Sequence, residues 1–214
     1  MEGRGIQVMQ NNPHVLVLGI GNVLWADVGF GVRAAEVMVT RYAFPDTVTI
    51  MDGGTQGLYL LPYLEQADAL IVFDAVDYGL TPGTMKIVRD GDVPSFMGAK
   101  KMSLHQTGFQ DVLSTAALMG YCPDRLLLIG VQPVELEDYG GGLRDAVAAC
   151  IDPAIDIALG ELRDVFGIEP ERRNGDGPGI NVAAIGRDSY EGGRPSADDA
   201  CRTGDARFFG PGGR

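Results

Sequence analysis

The sequence predicts an α/β fold on an open, mostly parallel sheet, and three observations predict it. Residues 14–18 (His-Val-Leu-Val-Leu), 69–73 (Ala-Leu-Ile-Val-Phe) and 126–131 (Leu-Leu-Leu-Ile-Gly-Val) are short, nearly unbroken apolar runs. That is the pattern of strands buried on both faces. Stretches with helical periodicity alternate with them, as crossovers between parallel strands require. Two carboxylates and a histidine (Asp27, Asp74, His105) fall just past strand ends or at the mouth of a helix, where the loops of an open sheet converge on a crevice.

Taken in order, strand 14–18 runs into the turn Gly19-Ile20-Gly21-Asn22. Val32, Ala35, Val39 and Tyr42 then recur at three- and four-residue steps opposite Arg33, Glu36 and Thr40, which predicts an amphipathic helix over 29–42. A second strand is expected over 48–51. The turn Asp52-Gly53-Gly54-Thr55 follows, then a helix near 56–64 with Leu58, Leu61 and Leu60 facing inward. Residues 69–73 form the third strand. Residues 84–88 (Thr-Met-Lys-Ile-Val) alternate polar and apolar, as an edge or antiparallel strand with one wet face does, and Lys86 suits an edge. Residues 103–108 precede a helix over about 109–119, and 126–131 is another doubly buried strand. The last helical stretch, about 143–166, contains Pro153. It requires either a kink or a fresh start with Asp152 as N-cap and the proline at the first helical position.

A chain of 214 residues, 45% hydrophobic and 21% charged, buries an ordinary core without splitting into two domains. The expected domain is 1–170. From 171 to 214 the composition turns to Gly, Arg, Asp, Pro and Ser, which cannot bury enough surface to offset its ordering entropy, so a disordered tail is expected. Its seven acids and seven arginines cancel, so the net charge of −12 belongs to the folded part. An acidic domain with no basic face excludes recognition of nucleic acid through phosphates. Cys122, Cys150 and Cys201 are odd in number, widely spaced and without CxxC pairing. This supports neither a disulfide framework nor a zinc knuckle and points to a reducing cytoplasm. No stretch approaches the ~20 apolar residues of a membrane span, and no signal-peptide segment opens the chain.

Several familiar motifs are excluded. Gly19-Ile20-Gly21 follows a strand, but the third glycine of a dinucleotide-binding GxGxxG would fall at Leu24, and the acid that follows would repel a pyrophosphate. There is no GxxxxGK[ST] loop and no GxSxG elbow. Gly19, Gly21, Gly29 and Gly31 have a purely structural reading, a tight strand-to-helix turn. Trp25 is either folded onto the core or offered to a partner. For Asp74 a cap or turn role competes with a ligand role, and for His105 a hydrogen-bonded structural role competes with metal binding. His14 looks incidental. Oxygen and imidazole donors gathered at one crevice suggest a metal site.

These residues form a recognisable set: Gly19 to Asp27 (Gly-Ile-Gly-Asn-Val-Leu-Trp-Ala-Asp) with Gly29-Phe30-Gly31-Val32-Arg33, Asp52-Gly53-Gly54-Thr55 with Gly57, Asp74-Ala75, and Ser103-Leu104-His105-Gln106 with Gly108. Over roughly the first 165 residues the chain closely resembles the maturation endopeptidases of nickel-iron hydrogenases. The resemblance implies a three-layer α/β fold with a twisted, mostly parallel sheet of about five strands between helices. It implies a cytoplasmic peptidase, aspartic-type by family classification, that removes a C-terminal peptide from the hydrogenase large-subunit precursor once nickel is inserted. The nickel is supplied by the precursor. The family's later two metal donors map onto Asp74 and His105. The first maps onto position 28, where family members carry an acid and this chain has Val28. Three accounts follow: Asp27 substitutes as a donor or touches substrate, the precursor's cysteines hold the nickel, or the chain is an impaired variant or non-cleaving binder. Trp25 and Gln106 are candidate substrate contacts. No Ser or Cys nucleophile is placed by any motif, so no acyl-enzyme is expected and no catalytic residue is assigned.

Overall fold

A computed structural model describes residues 13–54, 57–97, 104–175, 177, 179 and 180, and the side chains of 95–97 and 104–108 lie outside the described residues. The chain runs β1 (Val15–Ile20), a 3-10 turn (Ala26–Gly29), α1 (Phe30–Arg41), β2 (Tyr42–Ala43), β3 (Val48–Gly54), a second 3-10 turn (Gly57–Leu60) and α2 (Leu61–Glu65). It continues through β4 (Ala69–Ala75), β5 (Met85–Arg89), α3 (Asp92–Met97), α4 (Leu104–Met119), β6 (Arg125–Val131), α5 (Asp145–Ala148), α6 (Ile151–Asp164) and β7 (Glu171–Arg172).

Five strands form the main sheet in the order β3-β1-β4-β6-β5. The first four are mutually parallel, and β5 closes the edge antiparallel to β6. This is the α/β architecture expected, down to the edge strand that carries Lys86. Strand periodicity divides the core into two layers. Val15, Val17, Ile71, Phe73, Leu127 and Ile129 pack with α1 and α6 on one face. Leu16, Leu18, Leu70, Val72, Leu126 and Leu128 pack with α2 and α4 on the other.

Four expectations are corrected. Leu60 is buried as expected, but Leu58 is 56% exposed and Leu64 takes the next inward place, because the segment begins as a 3-10 turn and its inward face is offset from that of an α-helix. The helix expected from 109 begins at Leu104, so His105 lies inside its first turn and not before it. The stretch around Pro153 restarts, as one of its two readings required, but with Cys150 as N-cap. Asp152 instead pairs with Arg41 at 2.5 Å. The domain also runs past residue 170. Glu171–Arg172 pair antiparallel with Tyr42–Ala43, Arg173 N–H donates to the Arg41 carbonyl, and Gly177 N–H donates to that of Thr40. The end of α1 leaves backbone groups that this extension satisfies, a pairing that composition does not encode. Residues 181–214, where disorder is expected, lie outside the described residues. Among the described residues no helix is long and apolar enough to cross a membrane.

Candidate functional site

After β1 the chain crosses to β3 on one side and then returns to β4 on the other. The strand order therefore reverses between β1 and β4, and their carboxyl ends flank the crevice where open α/β sheets bind ligands. Register aligns Asp52 with Gly19, Gly19 with Phe73, and Asp74 with Gly130 across that edge.

The glycines explain how the edge closes so tightly. A Cβ on Gly31 would lie 2.2 Å from the Phe73 carbonyl oxygen and 2.3 Å from that of Ile20, and one on Gly19 would lie 2.3 Å from the Gly31 oxygen. The first turn of α1 thus rests directly on the backbones of β1 and β4, an approach open only to glycine. The structural reading of these residues holds. One consequence is that the 3-10 turn carrying Val28 packs against β4, the strand that carries Asp74.

Asp74 is 2% exposed, the penultimate residue of β4. Tyr78, also buried, brings its hydroxyl over Gly130, where a Cβ would lie 2.0 Å from it. Burial, and secondarily the Asp74 carboxylate, push the Tyr78 hydroxyl above its ordinary range, so the phenol stays protonated beside the crevice. Lys86 Nζ lies 5.3 Å from the centre of its ring. Val28 is 6% exposed. His105 is the second residue of α4. Only residues 120–124 separate the end of α4 from the start of β6, and 16 residues of helix span about 24 Å. The first turn of α4 therefore lies at the carboxyl edge, the same edge as Asp74. The side chains of His105 and Gln106 lie outside the described residues.

Asp27 is fully buried and both carboxylate oxygens are engaged. Oδ2 accepts from the backbone N–H groups of Val134 (2.8 Å) and Glu135 (2.9 Å), and Oδ1 from that of Arg144 (2.7 Å). Trp25 is half-buried, pairs by backbone with Tyr139 and meets its ring edge-on at 5.2 Å. It is neither folded into the core nor standing alone. Among the described residues no three His, Cys, Asp or Glu side chains are grouped to hold a metal.

Tyr78 and Gln132 are the site-edge residues that sequence reasoning passed over. Gln132 Oε1 accepts from the N–H groups of Tyr78 (2.7 Å) and Leu80 (3.1 Å), while Nε2 donates to Asp77 Oδ1 (3.0 Å). One signal was available: Gly130 inside an otherwise apolar strand marks a close approach, and the group that approaches is the Tyr78 phenol.

An open α/β sandwich with a buried carboxylate at its switch point and a histidine-bearing helix turn at the same edge defines a class: enzymes and binding proteins that work at the carboxyl ends of their strands. Residues 32–161 match the family described as HycI, hydrogenase maturation protease. The chain is 66% identical over 195 residues to the hydrogenase expression/formation protein HupD of Rhodobacter capsulatus, covering 91% of this chain and 92% of that one. It is 45% identical over 151 residues to the hydrogenase 2 maturation protease of Escherichia coli, covering 70% and 91%. The solved hydrogenase maturating endopeptidase HybD of E. coli has the same fold, with a TM-score of 0.70 at 43% identity over 75% of this chain and 98% of that chain. The chain belongs to the hydrogenase maturation protease family.

Proposed function

We propose that this protein is the endopeptidase that removes the C-terminal peptide of a nickel-iron hydrogenase large-subunit precursor after nickel insertion. Asp74 and His105 take hold of nickel that the precursor itself carries. The observation that supports this most directly is the burial of Asp74 at the switch-point end of β4, with the first turn of α4 at the same edge. A carboxylate and an imidazole suit a borderline divalent ion already bound by precursor thiolates. Nickel beside the scissile bond then acts as the recognition element. The reaction takes place in the cytoplasm.

A second reading, a non-cleaving binder or impaired variant, is favoured by one specific observation. Position 28, where the family resemblance calls for an acidic donor, is an apolar side chain only 6% exposed. Asp27 is a poor substitute, because coordination would strip three backbone N–H groups of their acceptor. Incubating the chain with nickel-loaded precursor and recording the precursor's mass separates the readings. A shortened product supports the peptidase, and a stable complex without one supports the binder. Val28→Glu is expected to start or strongly raise cleavage. Unchanged cleavage in that variant means position 28 supplies no donor in this protein.

A further inference from the structure

Asp27 and Gln132 are buried polar residues of the carboxyl edge to which the peptidase reading gives no chemical task. They tie loop 132–144 to two different neighbours. From 21–29, Asp27 reaches the backbone at 134, 135 and 144. From the far end of β6, Gln132 reaches the backbone at 78 and 80 and the Asp77 carboxylate. Backbone bonds complete both seams. Asp27 N–H donates to the Glu135 carbonyl, Ala26 N–H to Asp138 and Gly140 N–H to Leu24, while Gly83 N–H donates to Gln132 and Gln132 N–H to Thr84.

The seam is under load at one residue. Ala26 has φ of 26°, in the region that disfavours a side chain, and it persists because the Leu24 carbonyl and the N–H groups of Ala26 and Asp27 are all bonded across to 132–144. The chemistry of the clasp is also specific. Both Asp27 oxygens accept, so an amide in their place turns an NH₂ group toward a donor.

We propose that Asp27 and Gln132 are positioning residues that join loops 21–29, 76–84 and 132–144 into one rim, fixing position 28 relative to Asp74 before the precursor docks. The docking part rests on the function proposed above; the joining of the loops does not. The test compares the full-length chain with Asp27→Asn, Gln132→Leu and a core control, Leu162→Ala on α6, which is fully buried. Amide hydrogen exchange and affinity for nickel-loaded precursor are measured for each, well below the melting temperature.

Asp27→Asn is expected to speed exchange at least tenfold at 134, 135 and 144 and also at the amides of Trp25, Ala26 and Val28. Gln132→Leu, which removes the acceptor, should do so at 78 and 80. Each should weaken precursor binding at least tenfold, whereas Leu162→Ala lowers melting and leaves rim exchange and affinity as in the wild type. Faster exchange confined to the three amides that Asp27 accepts from would overturn the single rim. Faster exchange throughout the rim with unchanged affinity would reduce both residues to structural ones. Failure of the wild type to bind precursor would refute the proposed function, and exchange would still decide whether the rim exists.

Discussion

Two walls of the molecule are built differently. Loops 21–29, 76–84 and 132–144 form one wall, in which side chains bond directly to the backbone of a neighbouring loop. The turn 57–60 and α2 form the other, on the face of the sheet away from α1, anchored by Leu60 and Leu64 in the core while Leu58, Tyr59 and Tyr63 stand 56%, 83% and 45% exposed. Directional bonds fix the path of a backbone that has no regular structure of its own; apolar packing fixes where a segment sits but is tolerant of its outer face. The bonded wall therefore carries the geometry of the site. The packed wall leaves apolar side chains at the surface.

The bonded wall follows directly on β1 and leads into α1, so Gly31→Ala, which unseats α1, should have the largest effect. Its new methyl meets two backbone carbonyls that cannot step aside, and a loss above about 4 kcal/mol, or no cooperative unfolding at all, is expected in urea denaturation. A wild-type midpoint would mean that α1 does not rest on β1 and β4 as described.

On the packed wall, Leu60→Ala should cost about 2–5 kcal/mol, while Leu58→Ala stays within about 0.5 kcal/mol. Reversed values would restore the inward face read from periodicity. On the bonded wall, Asp27→Ala leaves three N–H groups without their acceptor and should lose about 1–3 kcal/mol by denaturation, partly offset by water entering the seam. A loss near zero would mean that these bonds do not hold the loops together. A small effect is also expected of Asp152→Ala. Its ion pair with Arg41 is 46% and 67% exposed on its two sides, and thermal melting should register less than about 1 kcal/mol.

What the residue pattern settled and what it left open divide along one physical line. Doubly buried strands announce themselves, because burial on both faces demands continuous apolar residues. Thus 14–18, 69–73 and 126–131 gave the α/β class, and the alternation at 84–88 gave the edge. The ordered motifs from Gly19 to Gly108 pointed to the family by their resemblance to its members. Long-range pairing leaves no such mark. Nothing near Asp27 says that its oxygens will find amides 107, 108 and 117 positions further on, nor does the Gly- and Arg-rich composition after 170 disclose that Glu171–Arg172 pair with Tyr42–Ala43. The leucine that points inward after a 3-10 turn depends on a local twist that an α-helical period misplaces. Periodicity records which faces meet water. Which distant loops meet each other is set when the layers close, and there Asp27 proves to be a clasp and Gly31 a contact surface.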